Sequence, residues 1–64
     1  MRDYEDIAVL FDQLAAQHEA LAAMLTNRDD PKHKESNEAI AEAERAHSDA
    51  CRRAAAALRS RKYV

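Results

Sequence analysis

The sequence predicts an all-α fold, an antiparallel helical hairpin that dimerises into a four-helix bundle. Three observations carry that expectation. The 64 residues include no glycine and a single proline. Apolar residues recur at helical spacing in both halves of the chain. The halves are separated by one break, Asn27-Arg28-Asp29-Asp30-Pro31. A helix does not run easily through that break, because proline lacks the amide donor and its ring clashes with the preceding turn, whereas it suits the first turn of a new helix. The chain therefore reads as a single domain over residues 1–64, with helix 1 over about residues 3–26, a turn over 27–30 and helix 2 over about 31–61.

Helix 1 is expected to start at Asp3, whose carboxylate suits an N-cap because it can accept from the free amides of the first turn. Ile7, Leu14 and Leu21 form one apolar row, Leu10 and Met24 a second, and Tyr4, Phe11 and Leu25 a third. Together they make the three-per-heptad face of a core-facing helix. Gln17 and His18 interrupt the second and third rows, and Val9, Ala16 and Ala23 lie off the face.

Helix 2 is expected to use Asp30 as N-cap and Pro31 as its first residue, with the turn through Lys32 to Glu35 the place where it distorts. Its core-facing rows read Ile40, His47 and Ala54, then Ser36, Ala43, Ala50 and Ala57, flanked by Cys51 and Leu58. These residues are mostly small, so the large side chains of helix 1 would fill the space they leave. A tight connection sets Leu14 beside Ala43, and Leu10 or Phe11 beside His47. It also sets His18 near Ile40, about 10 Å along the axis from His47 and too far to share a metal within one chain.

A chain this short buries only about 60 % of the surface its unfolded form exposes, so it usually needs a staple or a partner. Cys51 is its only cysteine, which excludes an intramolecular disulfide. A homodimer is the expected remedy. With no paired-cysteine zinc pattern and no secretory leader, the expected compartment is the cytoplasm. The apolar runs, among them Ile7 to Phe11, Ala20 to Leu25 and Ala54 to Leu58, fall far short of the roughly 20 residues of a membrane span, so no membrane is expected.

The net charge of −2 argues against wholesale nucleic-acid binding, but the charges are unevenly spread. Asp3, Glu5, Asp6, Asp12 and Glu19 stand in the first half, and Arg45, Arg52, Arg53, Arg59, Arg61 and Lys62 near the end. Each helix places acids early and bases late, which suits the helix dipole. In an antiparallel hairpin the acidic start of helix 1 would also lie beside the basic end of helix 2. On the surface of helix 2, Glu38 and Glu42, Glu42 and Arg45, and Asp49 with Arg52 or Arg53 are neighbours whose interactions are individually small.

Four features invite a chemical reading. Glu44-Arg45-Ala46-His47 has the Glu-x-x-His spacing that puts a carboxylate and an imidazole on one helix face, as in metal sites inside helix bundles. Gln17, His18 or Glu19 would add ligands across a two-chain bundle, while the plainer role of His47 is a hydrogen bond to Glu44 or to a side chain of the second chain. No resident metal or cofactor is expected. Cys51 follows His47 by four residues, but without a glycine turn to form an oxyanion-binding loop it reads as a packing residue, and no enzymatic activity is expected.

Arg52, Arg53, Arg59, Arg61 and Lys62 are the candidate contacts for nucleic acid or an acidic partner. In length and layout the chain resembles the Rop-type plasmid regulators, a likeness of shape that no residue motif carries, and it implies a dimeric nucleic-acid-binding regulator as an alternative. Tyr63-Val64 forms a short tail expected to pack on the hairpin near Tyr4 or Ile7. Ile7, Leu10, Phe11, Leu14, Leu21, Met24, Ile40, Ala43, His47, Ala50, Ala54 and Leu58 make up the expected core and dimer face. The primary expectation is a small interaction module, a regulator, inhibitor or adaptor that presents a rigid helical surface to a larger protein. A metal-binding bundle using Glu44 and His47 is the second alternative.

Overall fold

Helix formers without glycine sustain two long helices over residues 4–61, the part of the chain that the computed structural model describes. They are α1, Glu5–Thr26, and α2, Lys34–Arg59, packed on each other as a hairpin with no strand among the described residues. Glu5 and Asp6 occupy the first turn of α1, Glu35 the first turn of α2 and Arg59 its last turn, each favourable to the helix dipole. The acids-early, bases-late arrangement is complete only in α2. In α1 no base stands in the last turn, because Arg28 falls beyond Thr26.

The break behaves as a proline-initiated turn. The amide of Asn27 closes α1 on the carbonyl of Ala23 at 2.9 Å, and the Thr26 hydroxyl donates back to the Ala22 carbonyl at 3.1 Å. Pro31 then opens a 3₁₀ turn, Pro31–His33, which runs into α2. Asp30 precedes this turn, but its carboxylate caps no backbone amide; Oδ2 pairs with Nδ1 of His33 at 2.9 Å. The ring is the nearer partner, so the expected N-cap is replaced by a side-chain pair. The expected cap at Asp3, like Lys62 and the Tyr63-Val64 tail, lies outside the described residues.

The interior of the hairpin is a seam of the smallest side chains. Ala8, Ala15 and Ala22 of α1 and Ala41, Ser48 and Ala55 of α2 are each at most 2 % exposed. Beside them run half-buried rows with the same spacing of seven, Tyr4, Phe11, His18 and Leu25 on α1 and Asn37, Glu44, Cys51 and Leu58 on α2. Alternating steps of four and three in both helices form a heptad pattern in which the small residue takes one of the two seam positions each time.

This seam sits one residue on from the rows that the large side chains suggest, 8/15/22 rather than 7/14/21 and 41/48/55 rather than 40/47/54. One residue is about 100° of helix rotation. Within one chain, Ile7, Leu10, Leu14, Leu21, Met24 and Ile40 are 42–61 % exposed. Ala43, His47 and Ala50 are exposed as well, while Phe11, Ala54 and Leu58 are half-buried. The physical reason is close approach: methyl groups at the contact let two backbones come nearer than leucine or isoleucine would allow, and the larger residues are turned to the flank.

The register is shifted too. His18 is hydrogen-bonded to Glu44, and its ring lies 5.2 Å from that of His47, so the expected separation of these histidines does not hold. The residues between the helices do not make a tight connection. Asn27–Asp30 and the 3₁₀ turn together slide α2 by about one helical turn.

A buried methyl or methylene is worth about 0.8 kcal/mol, so this seam contributes only a few kcal/mol. The seam assignment is checked by a pair of substitutions followed by chemical denaturation. Ala15→Leu, at a fully buried position, should lose about 1–3 kcal/mol through overpacking. Ala16→Leu, one residue along and exposed, should change stability by less than about 0.5 kcal/mol. Equal effects would place the helix contact elsewhere.

Candidate functional site

Helical periodicity divides the hairpin into two broad flanks on either side of the alanine seam. One flank carries the half-buried heptad rows and, beyond them, the exposed row Ile7, Leu14 and Leu21. Leu10 and Met24 lie at its rim on α1, and Ile40, Ala43, Ala50 and Ala54 lie on the α2 side. The other flank carries Glu5, Asp12 and Glu19 of α1 and Arg52 and Arg59 of α2. The amphipathic unit is thus the hairpin as a whole.

A polar cluster interrupts the apolar flank. His18 takes a seam position that a leucine or phenylalanine fills one heptad away at Leu25 and Phe11, and Glu44 takes the corresponding position on α2. Nδ1 of His18 pairs with Oε1 of Glu44. His47, one turn further along α2, stands edge-on to the His18 ring with 63° between the planes. One ligand atom from each of His18, Glu44 and His47 lies within 4.8 Å of the others. His18 and Glu44 are half-buried and His47 is exposed.

The Glu44-x-x-His47 spacing therefore does put both groups on one face. The carboxylate, however, bonds to the histidine of the other helix rather than to His47. His18 was foreseeable only as a ligand from a second chain, because the register places it elsewhere. The signal that would have found it is its own heptad position among Tyr4, Phe11 and Leu25. Gln17 is exposed, and Glu19 points to the other flank. Cys51 is a half-buried free thiol one heptad from Glu44 and does not belong to the cluster.

On the charged flank, Arg59 binds Glu5 through two nitrogens, Nε to Oε1 and Nη2 to Oε2, each at 2.9 Å, and reaches Asp12 at 2.8 Å. The Glu5 and Asp12 bonds raise the Arg59 pKa further above its already basic range. Two turns toward the connection, Arg52 donates Nε and Nη2 to the two oxygens of Glu19, each at 3.0 Å, and the buried hydroxyl of Ser48 donates to Oε2 of the same carboxylate at 2.7 Å. Arg52 thus turns to the other helix and not to its neighbour Asp49. The Ser48 bond first, and Arg52 second, hold the Glu19 carboxyl below the usual range.

Two of the candidate nucleic-acid contacts, Arg52 and Arg59, are therefore occupied by carboxylates of their own chain, while Arg53 and Arg61 are exposed. Ser48 is the residue of this flank that the sequence reading passed over, and Glu19, read there as an added ligand, is instead its acceptor. The signal is a serine in an otherwise alanine row. Shallow hollows lie beside Glu19, Arg45 and Ser48, about 380 Å³, and at the turn beside Arg28, Asp30 and Lys34, about 290 Å³. Neither hollow adjoins Cys51 or the His18 cluster. Among the described residues no helix is long and apolar enough to cross a membrane. Comparison with known proteins finds no matching family model, no matching curated protein and no matching solved structure.

The Glu19 geometry has a pH signature. A carboxyl whose folded pKa is depressed adds stability that is fully present above its unfolded value and is lost as pH falls through the folded value. In an NMR acid titration the Glu19 carboxyl should titrate below the ordinary glutamate range, and Ser48→Ala should move its midpoint up toward that range. An unchanged midpoint in Ser48→Ala would show that the serine bond does not control this carboxylate.

Proposed function

We propose that this chain is a non-enzymatic protein–protein interaction module whose working form is a homodimer, built by laying the apolar flank of one hairpin on that of a second copy. The observation that supports it is the division of labour among apolar residues. The small ones close the hairpin, while Ile7, Leu10, Leu14, Leu21, Met24 and Ile40 stay 42–61 % exposed on one flank. A patch of this kind on so small a protein needs covering.

A second copy suits it for two reasons. The flank is large on its α1 half and, apart from Ile40 and His47, small on its α2 half, where Ala43, Ala50 and Ala54 stand, so a two-fold axis would set each bulky half mostly on a small one. That is the self-complementarity an isologous contact requires. In addition, the charges of the opposite flank are matched within the chain by Glu5, Asp12 and Glu19 on Arg59 and Arg52, so they demand no oppositely charged partner. In the resulting four-helix bundle the ion-paired flanks face outward, and these are what a larger protein would meet. The nucleic-acid alternative is weakened by the internal use of Arg52 and Arg59, which leaves fewer cations for phosphates.

Light scattering on the full, untagged chain should return twice the 7.2 kDa chain mass. Leu14→Glu combined with Leu21→Glu, at positions outside the seam, should give a monomer that keeps its helical circular dichroism at sub-millimolar concentration. A wild-type monomer would overturn the self-association. Capture of a larger protein by that monomer would give the flank a different occupant.

A further inference from the structure

We infer that His18, Glu44 and His47 form a binding site for a divalent first-row transition ion of the zinc class. The donor set is two imidazoles and one carboxylate, contributed from both helices, with one ligand atom of each inside a 4.8 Å span. Zinc holds such ligands at about 2.0–2.2 Å, which sets neighbouring ligand atoms roughly 3.3 Å apart around a tetrahedral ion. Binding would have to close the observed 4.8 Å span to that spacing by side-chain rotation. Two imidazoles also select against calcium and magnesium, which prefer oxygen throughout.

The simplest competing role for the cluster is a polar layer that keeps the helices in register, as a lone polar seam residue does in coiled coils. That role accounts for His18 and Glu44, which are hydrogen-bonded to each other. It leaves His47 unexplained. Among the described residues the His47 ring contacts the His18 ring and makes no side-chain hydrogen bond, so its ring nitrogens are unspent beside a carboxylate and a second imidazole. The other histidine, His33, has one carboxylate partner, Asp30, and no third ligand group.

An ion here would clip α1 to α2 near mid-length, where an alanine seam by itself contributes little. Because His47 is exposed in the single hairpin, one side of the ion would be open there to water or a further ligand, and in the proposed dimer that side would face the second copy. All three ligands come from one chain. The site therefore stands whether or not the hairpin dimerises, and a monomer in light scattering leaves it intact.

The test is titration of the untagged full chain with Zn²⁺ and, for its visible absorption, Co²⁺. Saturation near one ion per chain at micromolar or lower concentration is expected, with a melting temperature raised by about 10–20 °C at a hundredfold excess over the dissociation constant. His47→Ala removes an exposed ligand without touching the seam or the His18–Glu44 bond, and should weaken binding at least about tenfold with helicity unchanged. His33→Ala should bind as the wild type does. As a measurement that needs no variant, the imidazole nitrogen resonances of His18 and His47 should shift on Zn²⁺ addition and those of His33 should not. Absence of saturable binding below about 100 μM would overturn the inference. So would binding indifferent to His47→Ala, or binding lost with His33→Ala.

Discussion

The close approach of two helix backbones along a row of methyl groups is the constraint on which the rest of this structure depends. Ala8, Ala15 and Ala22 meet the row Ala41, Ser48 and Ala55, and no larger residue occupies either row. Once the smallest side chains take the contact, everything bulky must turn away from it. The heptad spacing then sends Tyr4, Phe11, His18 and Leu25 to one edge of the seam together with Asn37, Glu44, Cys51 and Leu58, and carries the charged residues to the other. Ser48 is the one polar member of the buried rows, and it stays satisfied because Glu19 accepts its hydroxyl.

A contact row of near-identical alanines specifies position poorly, since a slide of one heptad sets methyl on methyl again. The polar contacts carry that information. His18 on Glu44, Ser48 and Arg52 on Glu19, and Arg59 on Glu5 and Asp12 are cross-helix pairs, and together they agree on a single alignment. As exposed ion pairs the last two groups add little stability. A heptad slide would take Ser48 from Glu19 and set Glu44 against Phe11 or Leu25, whereas the ion pairs, whose acids at 5, 12 and 19 and bases at 45, 52 and 59 are also spaced by seven, fix the register less.

The same geometry separates the resources a function can draw on. The charged flank is largely neutralised from within, and the apolar flank is uncovered and carries the His18, Glu44 and His47 cluster. A self-associating module uses the apolar area, and an ion site uses the cluster within it. The shallow hollows at the turn and beside Ser48 offer little enclosure for a substrate.

The sequence by itself determined the helices, the break at Asn27 to Pro31 and the antiparallel direction, because helical periodicity, the lack of glycine and one proline act locally. It also showed that the acidic start of the chain and its basic end would meet, as Glu5 and Arg59 do. Glu44 and His47 were legible as a helical pair from their spacing alone. Which face closes the hairpin was not legible. Side-chain size argues for Ile7, Leu14 and Leu21, whereas the energy of close backbone packing favours the alanines one residue on, and that choice is settled only between two helices in contact. Register depended on how many residues the connection spends outside α-helix, and the 3₁₀ turn after Pro31 shifted it by about one helical turn. Only the tertiary structure could therefore bring His18 to Glu44 and His47, since proximity across two helices rests on rotation and register together.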